Sequence, residues 1–417
     1  MSDTAVRHDP DTQAGRATGP QRETEKAEGA DRAHRPMAAC IAVLLAAALA
    51  LGVSSLIARS RSDATFVLDD GGAWRNGEAM HRIDRAIDVP YASALRRAGA
   101  ALRYRLFGDL GPQVREGCPG WLFYADGLRP PPSAQASGIA DAAMRQRIAA
   151  LHRYSDALRR EGKTLVVVTV PDKARIETEA LCGLRQDARM TAHWDAWRQA
   201  LVQARIAHVD LIGPLTAARP AFYRTDVHWN ARGAQAAADT VAQAVMPLVG
   251  GRGPTGFTLE RAAGVQPRIG DLLKLAGLDG VPDGWRPAPD ADMPESIRAQ
   301  TSGGLLDDTP PAQVLLAGSS FSRRSGFADR LGRALGREVW NVSVDDGRFD
   351  RALAAVWRTR ATWPASLRVV VWEMSEDALS GPPASASASA SASASASASA
   401  PEPEAAVGIG MLPHNGT

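Results

Sequence analysis

Residues 164–170 read TLVVVTV and residues 368–374 read RVVVWEM. Both runs are short, rich in β-branched side chains, and apolar at successive positions rather than at alternate ones. A strand with one face in water alternates. A strand that is apolar on both sides is covered on both sides, as in a parallel sheet between helical layers. Three more runs have this character, at residues 206–212, 313–317 (QVLLA) and 338–344. Helical patterns lie around and between them, at residues 142–160, 190–205, 231–246, 324–335 and 349–360. This alternation predicts an α/β fold, a three-layer sandwich around a mostly parallel sheet. The stretch from about 250 to 310, rich in Gly, Pro and Asp, reads as an excursion between two βα units, with a short helix near Asp271 to Leu275. In such sheets ligands bind beyond the carboxyl ends of the strands.

The chain around this region is long enough for one large domain with appendages, at 417 residues of which 45% are hydrophobic. A formal net charge of +2 gives no reason to expect a nucleic-acid partner. Residues 1–36 are polar, lack apolar periodicity and read as a disordered tail. Residues 37–58, MAACIAVLLAAALALGVSSLIA, are uninterrupted apolar and small residues flanked by Arg32, His34 and Arg35 on one side and Arg59 and Arg61 on the other. About 20 such residues cross a bilayer as a helix. With no clean small-x-small cleavage site before Arg59, this segment is expected to be one transmembrane helix, an uncleaved signal anchor. A short N-terminal side and a long C-terminal domain suit an N-in, C-out orientation. Residues 59–110 form a juxtamembrane region and 111–380 the folded domain. Residues 384–400 alternate Ala and Ser and are followed by Pro-Glu-Pro-Glu; with no large apolar side chains to bury there, residues 381–417 read as a flexible tail. Cys118 and Cys182 fall in the folded part and could pair in an exported protein; two unrelated buried thiols are the other reading.

Two short motifs could carry chemistry. Gly318-Ser319-Ser320-Phe321-Ser322 follows the strand QVLLA. A serine at a tight strand-to-helix turn is presented to solvent among backbone N–H groups, which suits a nucleophile; a helix N-cap is the plainer alternative. Tyr223-Arg224-Thr225-Asp226-Val227-His228-Trp229-Asn230 places a carboxylate and an imidazole two positions apart, on one face of an extended segment. The carboxylate can then hold one imidazole nitrogen while the other acts as base. Alternatively, both residues merely support the following helix. DxH alone supplies only two metal ligands, and no companion His/Cys cluster is evident, so no metal or cofactor is expected. Together the motifs supply a nucleophile, Ser320, a base, His228, and an orienting group, Asp226.

At this point the sequence resembles a known family. These two motifs, with Gly117-Cys118-Pro119-Gly120-Trp121-Leu122-Phe123-Tyr124, Val170-Pro171-Asp172-Lys173-Ala174-Arg175 and Val371-Trp372-Glu373, are similar to segments of the SGNH hydrolase-like domain of alginate O-acetyltransferases, the AlgX/AlgJ type, and occur in that family's order. The likeness spans roughly residues 68–379. It implies Ser320 as nucleophile, with Ser319 where the family usually has Thr, His228 as base and Asp226 as orienter. After Asn341 this chain has Asp345-Asp346-Gly347-Arg348 where the family tends to have a glycine cluster, so the substrate cleft is expected to differ in shape. The resemblance further implies a periplasmic enzyme on the inner membrane. It would transfer acetyl groups to an exopolysaccharide such as an alginate-like or cellulose-like polymer, with a membrane-bound O-acyltransferase as partner and acetyl donor. A carbohydrate esterase with the same triad, and a non-catalytic component of polysaccharide export, are the alternatives.

Lys173, Arg175, Tyr223, Trp229 and Asn341 are the candidate substrate-binding residues. Lys26, Lys163, Lys173 and Lys274 are the chain's lysines, against 44 arginines once those four are taken from 48 basic residues. A lysine at 173 therefore suggests that a compact ammonium is wanted near the site; a chance surface lysine is the alternative. Asn341, at a strand end, is a candidate oxyanion-hole amide or a simple turn residue. Trp121, Trp229 and Trp372 could stack on sugars or pack in the core.

Overall fold

The computed structural model describes residues 39–54, 57, 92–130, 139–300 and 312–379. The expected tails at 1–36 and 381–417 lie outside the described residues, as do residues 59–91 of the expected juxtamembrane region. The chain divides into two compact units, residues 1–96 and 97–417. In the first, residues 39–54 are helical with Ile41, Leu44, Leu45 and Leu49 exposed. No helix among the described residues is long and apolar enough to cross a membrane. The described helix is shorter than the span of 37–58 expected from the sequence.

In chain order, α1 (Ala92–Phe107) leads into β1 (Val114–Glu116) and β2 (Leu122–Tyr124), an antiparallel pair. Next come α2 (Ile139–Arg160), β3 (Thr164–Val170), α3 (Lys173–Ile176), α4 (Ala188–Gln203), β4 (Ala207–Val209) and α5 (Ala231–Val245). The excursion holds β5 (Phe257–Arg261), β6 (Gln266–Arg268), α6 (Asp271–Leu275), β7 (Asp290–Asp292) and β8 (Glu295–Ala299). The chain then re-enters the sheet with β9 (Val314–Ala317), α7 (Ser320–Arg323), α8 (Phe327–Leu335), β10 (Val339–Asn341), α9 (Arg351–Trp357) and β11 (Val369–Ser375).

The sheet order is β10-β9-β11-β3-β4, and all four pairings are parallel. The continuous apolar runs have the expected cause. Val166, Val168 and Val170 of β3 face one core with Val369 and Val371 of β11, against Ala234, Val241 and Leu331 of α5 and α8. Leu165 and Val167, with Val370, Trp372 and Met374, face the other, against Leu151, Trp197 and Leu353 of α2, α4 and α9. Each strand thus fills two cores by its period of two. Each fully buried Val or Leu contributes about 1.5–3 kcal/mol relative to an exposed one.

Several boundaries differ from the sequence reading. The run at 206–212 stops being strand at Val209 because the Asp210 carboxylate accepts from Ile212 N–H at 3.0 Å and opens a helical turn. The helix expected over 324–335 starts only at Phe327, because Ser325 and Gly326 take positive φ of 52° and 63° and part it from the short α7. The excursion contains two antiparallel pairs, β5 with β8 and β6 with β7. These short polar strands carry no apolar run, so periodicity does not announce them.

Candidate active site

The turn after β9 is shaped by Gly318. A Cβ there would collide with the Ser322 hydroxyl and the Glu373 carboxylate, so a side chain at 318 would force the two apart. Ser319 caps α7, accepting from Phe321 N–H at 3.2 Å. Ser320, the first residue of α7, is left facing the cleft.

The opposing loop is closed by an antiparallel bridge between Phe222 and Trp229, with Tyr223 N–H donating to His228 O at 3.2 Å. Inside it, Asp226 Oδ1 lies 2.7 Å from His228 Nδ1 and accepts from His228 N–H at 3.2 Å. His228 Nε2 lies 2.8 Å from Ser320 Oγ. An ionised carboxylate only accepts, so Nδ1 carries the proton and Nε2 offers its lone pair to the serine O–H. Segments 92 residues apart thus meet in one hydrogen-bonded relay, with Asp226 fully buried and His228 at 3% exposure.

The relay is held by groups that sequence reasoning missed or gave other roles. Arg268, at the end of β6, donates to Asp226 Oδ2 at 2.7 Å. Burial alone would raise the Asp226 carboxyl. The hydrogen bond and charge of His228 and the charge of Arg268 outweigh it and hold the group far below the usual carboxylate range. Asp290, on β7, accepts from Arg224 N–H, Thr225 N–H and Thr225 Oγ–H at 2.8, 2.9 and 2.5 Å, fixing the backbone just before Asp226. Both belong to the polar excursion, where no motif marks them.

Of the five candidate binding residues, only Lys173 borders the cleft, and each is engaged within the protein. Lys173 is 4% exposed, and its ammonium donates to the carbonyls of Leu122, Arg224 and Asp226 at 2.6, 2.7 and 3.1 Å. It is neither a surface lysine nor a free cation for substrate, but a clamp between β2 and the Asp226 loop. Burial pushes the Lys173 ammonium down to about 7, against the pull of the Asp290, Asp226, Glu177 and Asp172 carboxylates. Arg175 is paired with Glu376, Nε to Oε2 at 2.9 Å and Nη2 to Oε1 at 2.5 Å, and lies over the Trp194 ring. The Tyr223 hydroxyl donates to Asp292 at 2.8 Å, and its ring lies under the Arg268 guanidinium. Trp229 is fully buried against Phe321 and Phe327, so it packs rather than stacking on a sugar. The Asn341 side chain accepts from Ser343 N–H at 3.0 Å, a strand-end turn, and does not line the cleft. Trp372 is likewise core.

The cleft holds about 810 Å³, and its walls include Tyr124, Asp172, Asp271, Lys274, Ser320 and Arg348. Gly347, in the departure after Asn341, sits where a Cβ would press on Ser319 Cα at 2.7 Å, so that loop closes on the nucleophile turn. Asp226, His228 and Asp271 are near enough together to hold a cation. Both Asp226 oxygens, however, are already engaged, one by His228 and the other by the Arg268 guanidinium, which would repel an added cation. Cys118 and Cys182 form a disulfide, tying the Gly117–Tyr124 segment to the turn after α3.

The model of the family "SGNH hydrolase-like domain, acetyltransferase AlgX" matches residues 114–376. The chain belongs to this family. A Pseudomonas putida protein named as a probable alginate O-acetylase, AlgJ, is 32% identical over 319 residues, which span 72% of this chain and 80% of the relative. The solved O-acetyltransferase domain of Pseudomonas putida AlgJ superposes with a TM-score of 0.56 at 29% identity, covering 66% of this chain and 95% of that one. The structure of Pseudomonas aeruginosa AlgX, 21% identical with a TM-score of 0.50, shares the fold over 66% of each chain. The chain is therefore an O-acetyltransferase with an SGNH hydrolase-like fold, and the resemblance read from five motifs holds.

Proposed function

We propose that this acetyltransferase moves acetyl groups onto hydroxyls of alginate through an acetyl-Ser320 intermediate. The observation that carries the reading is the Asp226–His228–Ser320 relay, with links of 2.7 and 2.8 Å, opening on a cleft of sugar-sized volume. His228 Nε2 takes the Ser320 proton as Oγ attacks the acetyl carbonyl carbon. The resulting oxyanion lies beside the amide of Ser320, whose N–H heads α7 where intrahelical acceptors are lacking. Collapse expels the donor's leaving group, which takes the proton from His228. An alginate hydroxyl then gives its proton to His228 and attacks acetyl-Ser320, and Ser320 regains its proton as the sugar ester departs. Such a base contributes about 10²–10⁴-fold. The names of the relatives supply the polymer, alginate.

The same reading places the domain in the periplasm, anchored in the inner membrane by residues 37–58, with a membrane-bound O-acyltransferase as the acetyl donor. The apolar run of residues 37–58 in the sequence is what motivates the anchor. The Cys118–Cys182 disulfide supports an oxidising compartment.

The test is mass spectrometry of the detergent-solubilised full chain after exposure to p-nitrophenyl acetate, with and without alginate oligosaccharides. An acetyl adduct on the Ser320 peptide that transfers to the oligosaccharide is expected. Acetylated oligosaccharide from a Ser320→Ala chain at the wild-type rate would refute the mechanism. Release of free acetate alone would point to an esterase.

A further inference from the structure

The nucleophile turn holds three serines, and two of them, Ser319 and Ser320, border the cleft. What separates them is where each hydroxyl proton goes. Ser319 Oγ donates to Glu373 at 2.8 Å to Oε1 and 3.0 Å to Oε2. Ser322 Oγ donates to Glu373 Oε2 at 2.7 Å, and Ser319 N–H donates to the same oxygen at 2.7 Å. Ser320 alone of the three aims its hydroxyl at His228. Glu373 lies on β11, the central strand, is 2% exposed, and receives these donors on a carboxylate with room for about four. Gly318 is the residue that allows the approach.

We infer that Glu373 is a positioning residue that binds the hydroxyl protons of Ser319 and Ser322 and so leaves Ser320 as the turn's acylated serine. The inference rests on the acetyl-Ser320 reading above. A carboxylate suits this task where an amide does not. Gln in its place would offer one accepting oxygen and one donating nitrogen. At least one of the three donors, Ser319 N–H, Ser319 O–H and Ser322 O–H, would then lose its acceptor, and the turn would lose a fixed point beside Ser320. The location accounts for a buried carboxylate, paired with no cation among the described residues, near the end of an otherwise apolar strand. Burial raises the Glu373 carboxyl, while hydrogen bonds from both serines oppose that shift.

The test compares the full-length wild type, Glu373→Gln, Ser322→Ala and Ser320→Ala. The measurements are the burst rate and KM with p-nitrophenyl acetate, the melting temperature, and the site of the acetyl adduct by peptide mapping. For Glu373→Gln the burst rate is expected to fall about 10²-fold, the loss typical of a misplacement near 1 Å, with KM steady. Part of the remaining adduct should appear on Ser319. A wild-type burst rate in a folded Glu373→Gln chain overturns the inference, as does a rate loss matched by an equal rise in KM. If Glu373→Gln does not fold, Ser322→Ala decides: a roughly tenfold lower burst at steady KM supports the inference, and an unchanged burst overturns it. Ser320→Ala isolates the underlying reading. Adduct formation there at the wild-type rate ends the acetyl-Ser320 mechanism itself, whereas its loss beside an active Glu373→Gln ends only the role given to Glu373.

Discussion

Replacing Lys173 by Met removes the ammonium and keeps most of the side-chain volume. In the wild type three N–H groups meet three carbonyls, those of Leu122, Arg224 and Asp226, and the ammonium lies 5.3 and 5.1 Å from the ring centres of Trp121 and Phe123. Met leaves the Leu122 and Asp226 carbonyls without this partner, while Arg224 O keeps the Leu122 N–H at 2.9 Å. Each unsatisfied buried group costs about 1–3 kcal/mol. Relief from burying an ammonium offsets part of the sum, so the net loss expected is about 3–5 kcal/mol, the range for removing one partner of a buried charged cluster. For a domain of this size each kcal/mol moves the melting temperature by about 2–4 °C, so Lys173→Met should melt about 6–20 °C lower. The measurement belongs at pH 6, below the value of about 7 to which burial holds this lysine.

Lys173→Arg sharpens the same test. A planar guanidinium spreads its donors as a fork, whereas the three carbonyls converge on a point. Arg should therefore fail to restore stability, although it keeps the charge. Because one of the three carbonyls belongs to Asp226, the acylation rate should fall in both variants even at temperatures where they remain folded. A Lys173→Met chain that melts within 1 °C of wild type, or a Lys173→Arg chain with full stability and full rate, would refute the clamp.

Arg268→Met removes a charge-assisted hydrogen bond to Asp226 and should lower kcat/KM with p-nitrophenyl acetate about 10- to 100-fold at steady KM; an unchanged value would show that the guanidinium does not hold the relay. Burial, reinforced by the charge of Glu376, raises the Asp172 carboxyl to about 7, so between the unfolded value near 4 and about 7 the folded chain retains a proton that the unfolded chain has lost, and stability drains as pH rises through that window. Asp172→Asn keeps a cap for Ala174 N–H and removes this titration, so its melting temperature relative to wild type should rise from pH 4 to pH 7; a constant difference would refute the shift. Replacing Cys118 and Cys182 by Ser opens a cross-link with a sequence separation of 64, which the chain-entropy account values at about 4 kcal/mol, and a melting temperature unchanged by the replacement would show that the link constrains little.

The sheet was legible in the sequence because its strands are buried on both faces, a demand that leaves apolar runs such as TLVVVTV at every position. The relay was legible because its three members lie in motifs with spacing that chemistry explains. The substrate-binding candidates were not, for a common reason. Lys173, Arg175, Tyr223 and Trp229 have side chains that could meet a sugar, yet the hydrogen bonds and ring contacts they make are to the protein itself, even for Lys173 at the cleft wall, and only the packing of distant segments decides those partners. Asn341 needed the register of β10 to show that its amide closes a local turn. Arg268 and Asp290 had no signal at all. They come from short polar strands with no periodicity, and their roles depend on a chain reversal that brings residues 268 and 290 back to residue 226.

Asp226 shows why so many charged groups are buried around one hydrogen-bond relay. Its carboxylate is aimed from one side by His228 and from the other by Arg268, its carbonyl is held by Lys173, and the residues before it are held by Asp290. Apolar packing could exclude water from this loop, but it is non-directional and would leave the carboxylate free to turn. Hydrogen bonds from fixed donors restrict angle as well as distance. A base that must sit within hydrogen-bond reach of Ser320 in two successive half-reactions needs that restriction in both. Buried charges contribute little net stability compared with apolar residues of the same size. Their concentration here, beside cores built from Val and Leu, is therefore best explained by the demand for one fixed geometry at the imidazole rather than by the stability of the fold.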